Sequence, residues 1–552
     1  MQVKKLCRFP IFKEFNEKDF ICEFLECNFN KNFDGLIGNN ILTKFNCIID
    51  YPNRILKTNK ATINFYQTEE EEIYNRISYK ENEEEIFNND VRDKCVTEFV
   101  DTNHLNGIDK NKLRNILKRH KSVFYNEDDN LTFTSTTKHR IMTKNDIPVY
   151  SKIYRYQEIH KPEIEKQIDQ MLTQGIIRAS SSPYNSPIWL VPKKLDATNE
   201  QKWRLVIDYR KLNSVSTEDR FPIPNIDDIF DKLGRCQYFS TLDLAKGFHQ
   251  IEMDERDIYK TAFSTANGHY EFLRMPFGLR NAPATFQRLM NEVLKDYIGK
   301  ICIVYMDDIL IFSTSIEEHL ESLNKILIRL KEKNLRIQIN KCNFLRQETK
   351  FLGHMIAKEG MKPNPEKVEA IEKILLPKNV KEIKAFLGIT GYYRRFIKDY
   401  SKVAYHIIKY LKKDMKINHN DKDYIKAFNK LKELIKADPI LIHPDFNKAF
   451  TLVTDASNFA LGAALLQTDK VISYASRSLN GHEKNYSTVE KELLAIVWAT
   501  KYFRPYLFGR HFTIKTDHRP LIWLSNLKEP NAKLQRWKIK LNEFDFDINY
   551  IN

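Results

Sequence analysis

In the stretch "KICIVYMDDILIFST", Lys300 to Thr314, two adjacent carboxylates, Asp307 and Asp308, stand between two runs of apolar and β-branched residues. Such runs on either side of a short polar step predict the two strands of a hairpin, with Met306, Asp307 and Asp308 at or beside the turn. Any fold adopted here must then carry two charges at the tip of a largely apolar ribbon. Aspartate is common in turns because its side chain bonds the local backbone, so a lone Asp-Asp turn requires no function. A third acid alters the balance. The segment "QYFSTLDLAKGFHQIEM" predicts a strand with Phe239, Thr241 and Asp243 on one face and Asp243 at its end, before a glycine-containing turn. If the two strand units are sheet neighbours, Asp243 meets Asp307 and Asp308. Three carboxylates suit two Mg²⁺ ions, one activating a 3′-hydroxyl and the other stabilising a leaving pyrophosphate oxygen.

At 552 residues the chain is too long for one core, and usual domain sizes predict about three to four domains. Lys and Arg outnumber Asp and Glu by 88 to 73, and the pI is near 9.1. That excess points to a polyanionic partner, nucleic acid ahead of anionic membrane, although many of these lysines also suit solvated loops and helix faces. The eight cysteines form no C-x-x-C pair and no zinc-type spacing with histidine, so neither a disulfide framework nor a zinc site is signalled. With no apolar leader and no uninterrupted run of ~18 apolar residues, the expectation is a soluble, unsecreted, intracellular chain.

Acidic runs over residues 68–90 mark a solvated linker or exposed helix. From about Asp109, helices and strands alternate. "EIHKPEIEKQIDQMLTQGII" has helical spacing, "IWLVPKK" and "WRLVIDY" look like strands, and "APATFQRLMNEVLKDYI" predicts a helix entered through a proline. From "NPEKVEAIEKILLP", which starts at Asn364, to about Asp438 the chain reads as mostly helical and basic, a connecting domain. After Pro439 strands restart with "FTLVTDAS", "LGAALLQ" and "VISYASR", followed by the helix "STVEKELLAIVWATKYFRPYL" and the strand "FTIKTDH". Two α+β or α/β units in tandem fit this pattern.

The motifs "KWRLVIDYRKLN", "LDLAKGFHQI", "RMPFGLRNAPATFQ", "YMDD" and "FLGH", in this order, resemble those of a reverse transcriptase. With "SSSPYNSPIWLVPKK" upstream and "FLGITGYYRRFI" downstream, they resemble the Pol polyprotein of gypsy-type LTR retrotransposons. The resemblance implies an α+β multidomain chain: a right-hand polymerase of fingers, palm and thumb, a helical connection, and an RNase H-like α/β domain. It makes Asp243 and Asp307 metal ligands and Asp308 the supporting acid, with two Mg²⁺ per active site and Mn²⁺ as a substitute. Lys193, Lys194 and Arg204 match positions that hold the incoming triphosphate, a role suited to a point charge and a planar fork, although cations flanking a strand are common. Phe248 matches an aromatic closing on the sugar's 2′ position, or is a core aromatic. Met275 to Gly278 match a segment set against the nascent base pair, and Phe277 stands where several retroviral relatives have glutamine. Phe351, Leu352, Gly353 and His354 resemble a primer-holding turn, and on their own read equally as a hydrophobic turn.

A second acid set, Asp455, Glu492 and Asp517, falls on a strand, a helix and a strand, the layout of an RNase H domain in which paired Mg²⁺ activates a water. Glu490 lies ~200° around the helix from Glu492 and cannot share its site. The family has a fourth carboxylate shortly after the strand "FDFDINYI", beyond Asn552, so the expectation is a fragment with a weakened nuclease. Phe33 to Tyr51 resembles the C-terminal half of a retropepsin-like protease, or an ordinary Asp-Gly turn before a strand. No Asp-Ser-Gly or Asp-Thr-Gly precedes Asp34, so no proteolysis is expected.

The expected division is a protease remnant over 1–66, an acidic linker over 67–108, fingers and palm over 109–355, thumb and connection over 356–438, and the RNase H-like domain over 439–552. The expected partners are an RNA or DNA template, a nucleic-acid primer and dNTPs, with no membrane, in the cytoplasm or, by resemblance, a virus-like particle. A silent or domesticated remnant that binds nucleic acid without turnover is the competing reading. An RNA-dependent RNA polymerase fits less well, because Phe248 and the second acid set both imply a DNA product.

Overall fold

The computed structural model describes residues 48–50, 55–57, 62–64, 100–126, 129, 131–192, 201, 203–413, 415–517 and 532–550. The chain divides into two compact units, Met1–Val91 and Arg92–Asn552. In the first, Ile48–Asp50, Ile55–Lys57 and Thr62–Asn64 form a three-stranded antiparallel meander. The protease-like stretch before Ile48 and the acidic runs over 68–90 lie outside the described residues. The first described helix, Gly107–Arg119, starts two residues before the expected boundary at 109.

The centre of the second unit is a four-stranded antiparallel sheet in the order Cys302–Tyr305, Asp308–Ser313, Tyr238–Asp243, Asn343–Arg346. Its apolar runs are explained by two cores. Alternate residues of a strand point to opposite faces. Leu242, Ile309 and Ile311 pack with Phe286 and Leu289 of helix Ala282–Val293 and with Leu323 and Ile326 of helix Ile316–Glu332. Phe239, Leu310 and Phe312 join a second core that includes Phe386 and Phe428. A sheet buried on both faces must be apolar throughout, which leaves the strand ends as the place for charge. Helix Ala282–Val293 starts through Pro283, and Ser315 caps Ile316–Glu332 by accepting from Glu318 N–H at 3.2 Å.

On the fingers side, Ile188–Pro192 and Trp203–Ile207 form an antiparallel pair beside helix Lys161–Thr173. A meander of strands Glu348–Phe351, His354–Ala357 and Gly360–Pro363 comes before the stretch from Asn364 expected to be mostly helical. The expected boundary at 355/356 therefore falls inside a strand. "FLGH" is the centre of a hairpin: Phe351 pairs with His354, and Leu352 and Gly353 have φ of 44° and 71°, as a tight two-residue turn requires. Helices Pro365–Glu372, Val380–Tyr392, Tyr400–Ile408 and Lys422–Lys436 follow. They have no core of their own, because their apolar faces complete the second core under the central sheet.

The last five strands form one sheet in the order Lys470–Ser478, Ala460–Gln467, Phe450–Ala456, His511–Thr516, Asp545–Tyr550, antiparallel among the first three and parallel thereafter. Helix Thr488–Tyr502 packs on it through Leu493, Ile496 and Val497. Ser401 N–H donates to Ser476 Oγ at 2.9 Å, which fastens helix Tyr400–Ile408 to the edge strand. Among the described residues no helix is long and apolar enough to cross a membrane.

Candidate active sites

Tyr305 pairs with Asp308, which makes Met306 and Asp307 the two-residue turn of the predicted hairpin. Met306 has a φ of 52°, uncommon outside glycine, and the structure holds it there. Its N–H donates to Gln287 Oε1 at 2.8 Å, while Gln287 Nε2 donates to Val304 O at 3.3 Å. Gln287 is fully buried on the helix behind the sheet. The turn is thus shaped from beneath by one side chain.

Asp308 lies opposite Asp243 in antiparallel register, so all three acids gather at one end of the central strands. Burial pushes Asp307 up to about 7, with the charges of Asp243 and Asp308 adding to it. Burial also raises Asp243 and Asp308, and Asp243 adds to the shift of Asp308. Asp307 Oδ1 is buried with no hydrogen-bond partner. A Cβ at Gly247 would lie 3.1 Å from that oxygen and 3.2 Å from the Phe286 ring, so the missing side chain makes room for the carboxylate. Among the described residues no three acids, histidines or cysteines converge closely enough to form a complete metal-binding group. The donor set nevertheless fits hard divalent cations: an orphaned buried carboxylate oxygen beside two acids whose mutual repulsion a cation would relieve.

Lys341 Nζ stands 3.5 Å from Asp243 Oδ1 and opposes the upward shift of that acid. Sequence reasoning missed Lys341. The signal was a lysine two residues before the strand Asn343–Arg346, which pairs with the strand of Asp243. Thr241, Asp243, Asp308, Lys341, Leu352 and Gly353 line one cleft of 240 Å³, so the "FLGH" hairpin and the acids share a space.

Arg204 is exposed, and its guanidinium carbon lies 4.2 Å over the Phe277 ring centre. Phe277 lies 5.0 Å from Phe248, which in turn lies 5.5 Å from Phe286. Phe248 is half-buried at the margin of the core. Met275 is fully buried and Pro276 is buried, so only Phe277 and Gly278 of that segment reach the surface. Lys193 and Lys194 lie outside the described residues.

In the second acid set, Asp455 is near the end of its strand and pairs with Gly462. The neighbouring parallel strand is in register with Val453 opposite Lys515, which brings Asp455 and Asp517 to matching heights at the carboxyl ends of adjacent strands. Glu492 is buried at 2 % exposure on the helix that packs on the Asp455 strand. Glu490 is engaged elsewhere. It closes the capping box with Ser487 and pairs with Lys533 Nζ at 2.6 Å. Asp399, which the sequence did not single out, has a φ of 55° and caps nothing with its side chain. Its carboxylate rests against Gly462, opposite Asp455, and burial followed by the Asp455 charge raises its pKa.

Residues 191–356 match the family model for reverse transcriptase (RNA-dependent DNA polymerase), and residues 445–544 match that for the RNase H-like domain found in reverse transcriptase. The chain is 52 % identical over 525 residues to the retrovirus-related Pol polyprotein from transposon 297 of Drosophila melanogaster, covering 95 % of this chain and 50 % of that protein. It is 36 % identical over 563 residues to the Pol polyprotein from transposon gypsy of the same organism, covering 100 % of this chain and 52 % of that protein. The chain thus spans about half the length of these curated relatives. A foamy viral protease-reverse transcriptase solved with double-stranded DNA superposes with a TM-score of 0.74 at 23 % identity, covering 84 % of this chain and 81 % of that one, a likeness of fold. The expected right-hand polymerase with an RNase H-like domain is therefore the fold, and the chain belongs to the Pol polyproteins of gypsy-type LTR retrotransposons.

Proposed function

We propose that this chain is an RNA-directed and DNA-directed DNA polymerase that extends a nucleic-acid primer, with an attached ribonuclease that degrades RNA in RNA–DNA hybrids. The observation that carries the reading is the buried, partnerless oxygen of Asp307 beside Asp308 and Asp243, which lie in register across the sheet. Asp243, Asp307 and Asp308 would hold Mg²⁺ or Mn²⁺, which would activate the primer hydroxyl and neutralise charge on the leaving pyrophosphate.

The other steps belong to the chain itself. Arg204 presents a planar cation where a triphosphate would enter. Phe248 presents a ring to the 2′ position of the sugar, which favours dNTPs. The Leu352–Gly353 turn lines the same cleft as the acids and fits the role of holding the primer end against them. The basic balance of 88 to 73 supports sequence-independent grip on the phosphate backbone of template and primer.

For the ribonuclease, Asp455, Glu492 and Asp517 would hold a second pair of ions that activate water against an RNA phosphodiester. The positions of Asp455 and Asp517 at neighbouring strand ends support this assignment. The deciding experiment is primer extension on an RNA template with dNTPs and Mg²⁺. Template-directed extension supports the reading, and binding without extension supports the inactive remnant.

A further inference from the structure

Phe277 occupies the middle of a contact chain running from a surface cation to the catalytic acids. Its ring carries the Arg204 guanidinium on one side at 4.2 Å. It meets Phe248 at 5.0 Å with an interplanar angle of 31°, and His249 edge-on at 5.2 Å. Phe248 continues to Phe286, and Phe286 closes against Gly247 beside Asp307. The backbone that follows Phe277 is fixed as well. Gly278 has a φ of 91°, Asn213 Nδ2 donates to Gly278 O at 2.9 Å, and Arg280 N–H donates to Asn213 Oδ1 at 2.8 Å. The clamped backbone and the two aromatic neighbours behind it favour the ring position that makes both contacts.

An exposed arginine samples many rotamers, and freezing them costs free energy when a ligand binds. A π-face beneath the guanidinium holds it without consuming its hydrogen-bond donors, which leaves them for phosphate oxygens. The Phe277 ring supports the guanidinium by a cation–π contact at 4.2 Å. An acid in that role would hold the arginine too, but would neutralise the charge a triphosphate needs.

Resting on the polymerase reading above, we propose that Phe277 is a positioning residue that acts through two others: it pre-orients Arg204 for the triphosphate and backs Phe248 against the sugar. Phe277 thereby couples nucleotide affinity to discrimination against ribonucleotides.

The test is single-nucleotide insertion on a primed template by the full chain. Phe277→Leu keeps apolar volume and removes the π-face. Its KM for dNTP should rise about tenfold, with kcat changed by less than about twofold, and its preference for dNTP over rNTP should fall. Phe277→Tyr should restore both. Arg204→Lys, on an exposed strand position, should raise KM similarly even if Phe277→Leu fails to fold, because an ammonium loses the planar stacking. In Arg204→Ala combined with Phe277→Leu, the two effects on KM should not add. A wild-type KM in Phe277→Leu or in Arg204→Lys, or full additivity in the double variant, overturns the inference while leaving polymerisation standing. A wild-type chain that extends no primer overturns the polymerase reading and this inference with it.

Discussion

Asp308 faces Asp243 directly across two antiparallel strands, with Asp307 beside them in the turn. Nothing in folding favours such a group. The sheet is largely apolar on both faces, and this cluster of charge is one that the fold itself destabilises by burial and repulsion. Asp307→Asn should therefore leave the fold intact while removing nucleotide incorporation. Loss of a ligand to a metal that supplies several kcal/mol of transition-state stabilisation predicts a fall of roughly a thousandfold or more. Extension rates beside primer-template affinity check this, and near-normal extension would contradict it.

The same cluster sets a pH dependence. Asp307 ionises near 7 in the folded chain and at 3.8 as its ordinary value. The folded state thus binds the extra proton between these values, and stability must fall as pH rises from about 4 to about 7. Asp243 and Asp308, also raised, contribute with the same sign. Thermal melting in chelator should show a midpoint that declines over this range. Asp307→Asn should flatten the decline, and added Mg²⁺ should recover stability most at the upper end.

Much of this site was legible in the sequence, and the illegible parts share a cause. The continuous apolar runs on either side of Asp307 and Asp308 announced the hairpin, and the restart of strands after Pro439 announced a second sheet. Residues within one element follow from local pattern. Gln287 bracing Met306, Lys341 beside Asp243, and Asp399 resting on Gly462 all join distant segments, and no local pattern encodes them. "FLGH" is legible as a turn, and the turn it forms is a tight one, with Leu352 and Gly353 in the left-handed region between paired strands.

Gly247 offers a test of how closely the acids are fitted. A Cβ there would come within 3.1 Å of Asp307 Oδ1 and 3.2 Å of two Phe286 ring carbons. Phe286 is fully buried and cannot retreat, so the displacement falls on the carboxylate. Misplacement of a reacting group by about 1 Å costs on the order of a hundredfold in rate. Gly247→Ala should lose about that much extension activity while binding primer-template normally. Wild-type activity would show that Asp307 has slack.

Phe248→Ala should admit ribonucleotides. Phe248 is half-buried between Phe277 and Phe286, and truncation removes the ring without emptying a sealed core. Comparison of insertion of dNTPs and rNTPs on the same primed template should show discrimination falling by at least about tenfold, the scale of one lost steric contact. Unchanged discrimination would reduce Phe248 to a packing residue.

Glu490 and Glu492 sit two residues apart on one helix and should fail in opposite ways. Glu490 bonds the helix start through Ser487 N–H at 3.0 Å and pairs with Lys533 across to helix Ala532–Leu541. Glu490→Ala should cost about 1 kcal/mol of stability, the usual value of a lost cap, and leave hybrid cleavage largely unchanged. Glu492 is buried on the face that packs against the Asp455 strand, and it takes no part in the cap. Glu492→Gln keeps its volume and removes its charge, so it should preserve the melting midpoint while abolishing cleavage of RNA in an RNA–DNA hybrid. Polymerisation should survive in both variants, because its acids lie on a different sheet. A cleavage defect in Glu490→Ala alone, with Glu492→Gln active, would reverse the assignment.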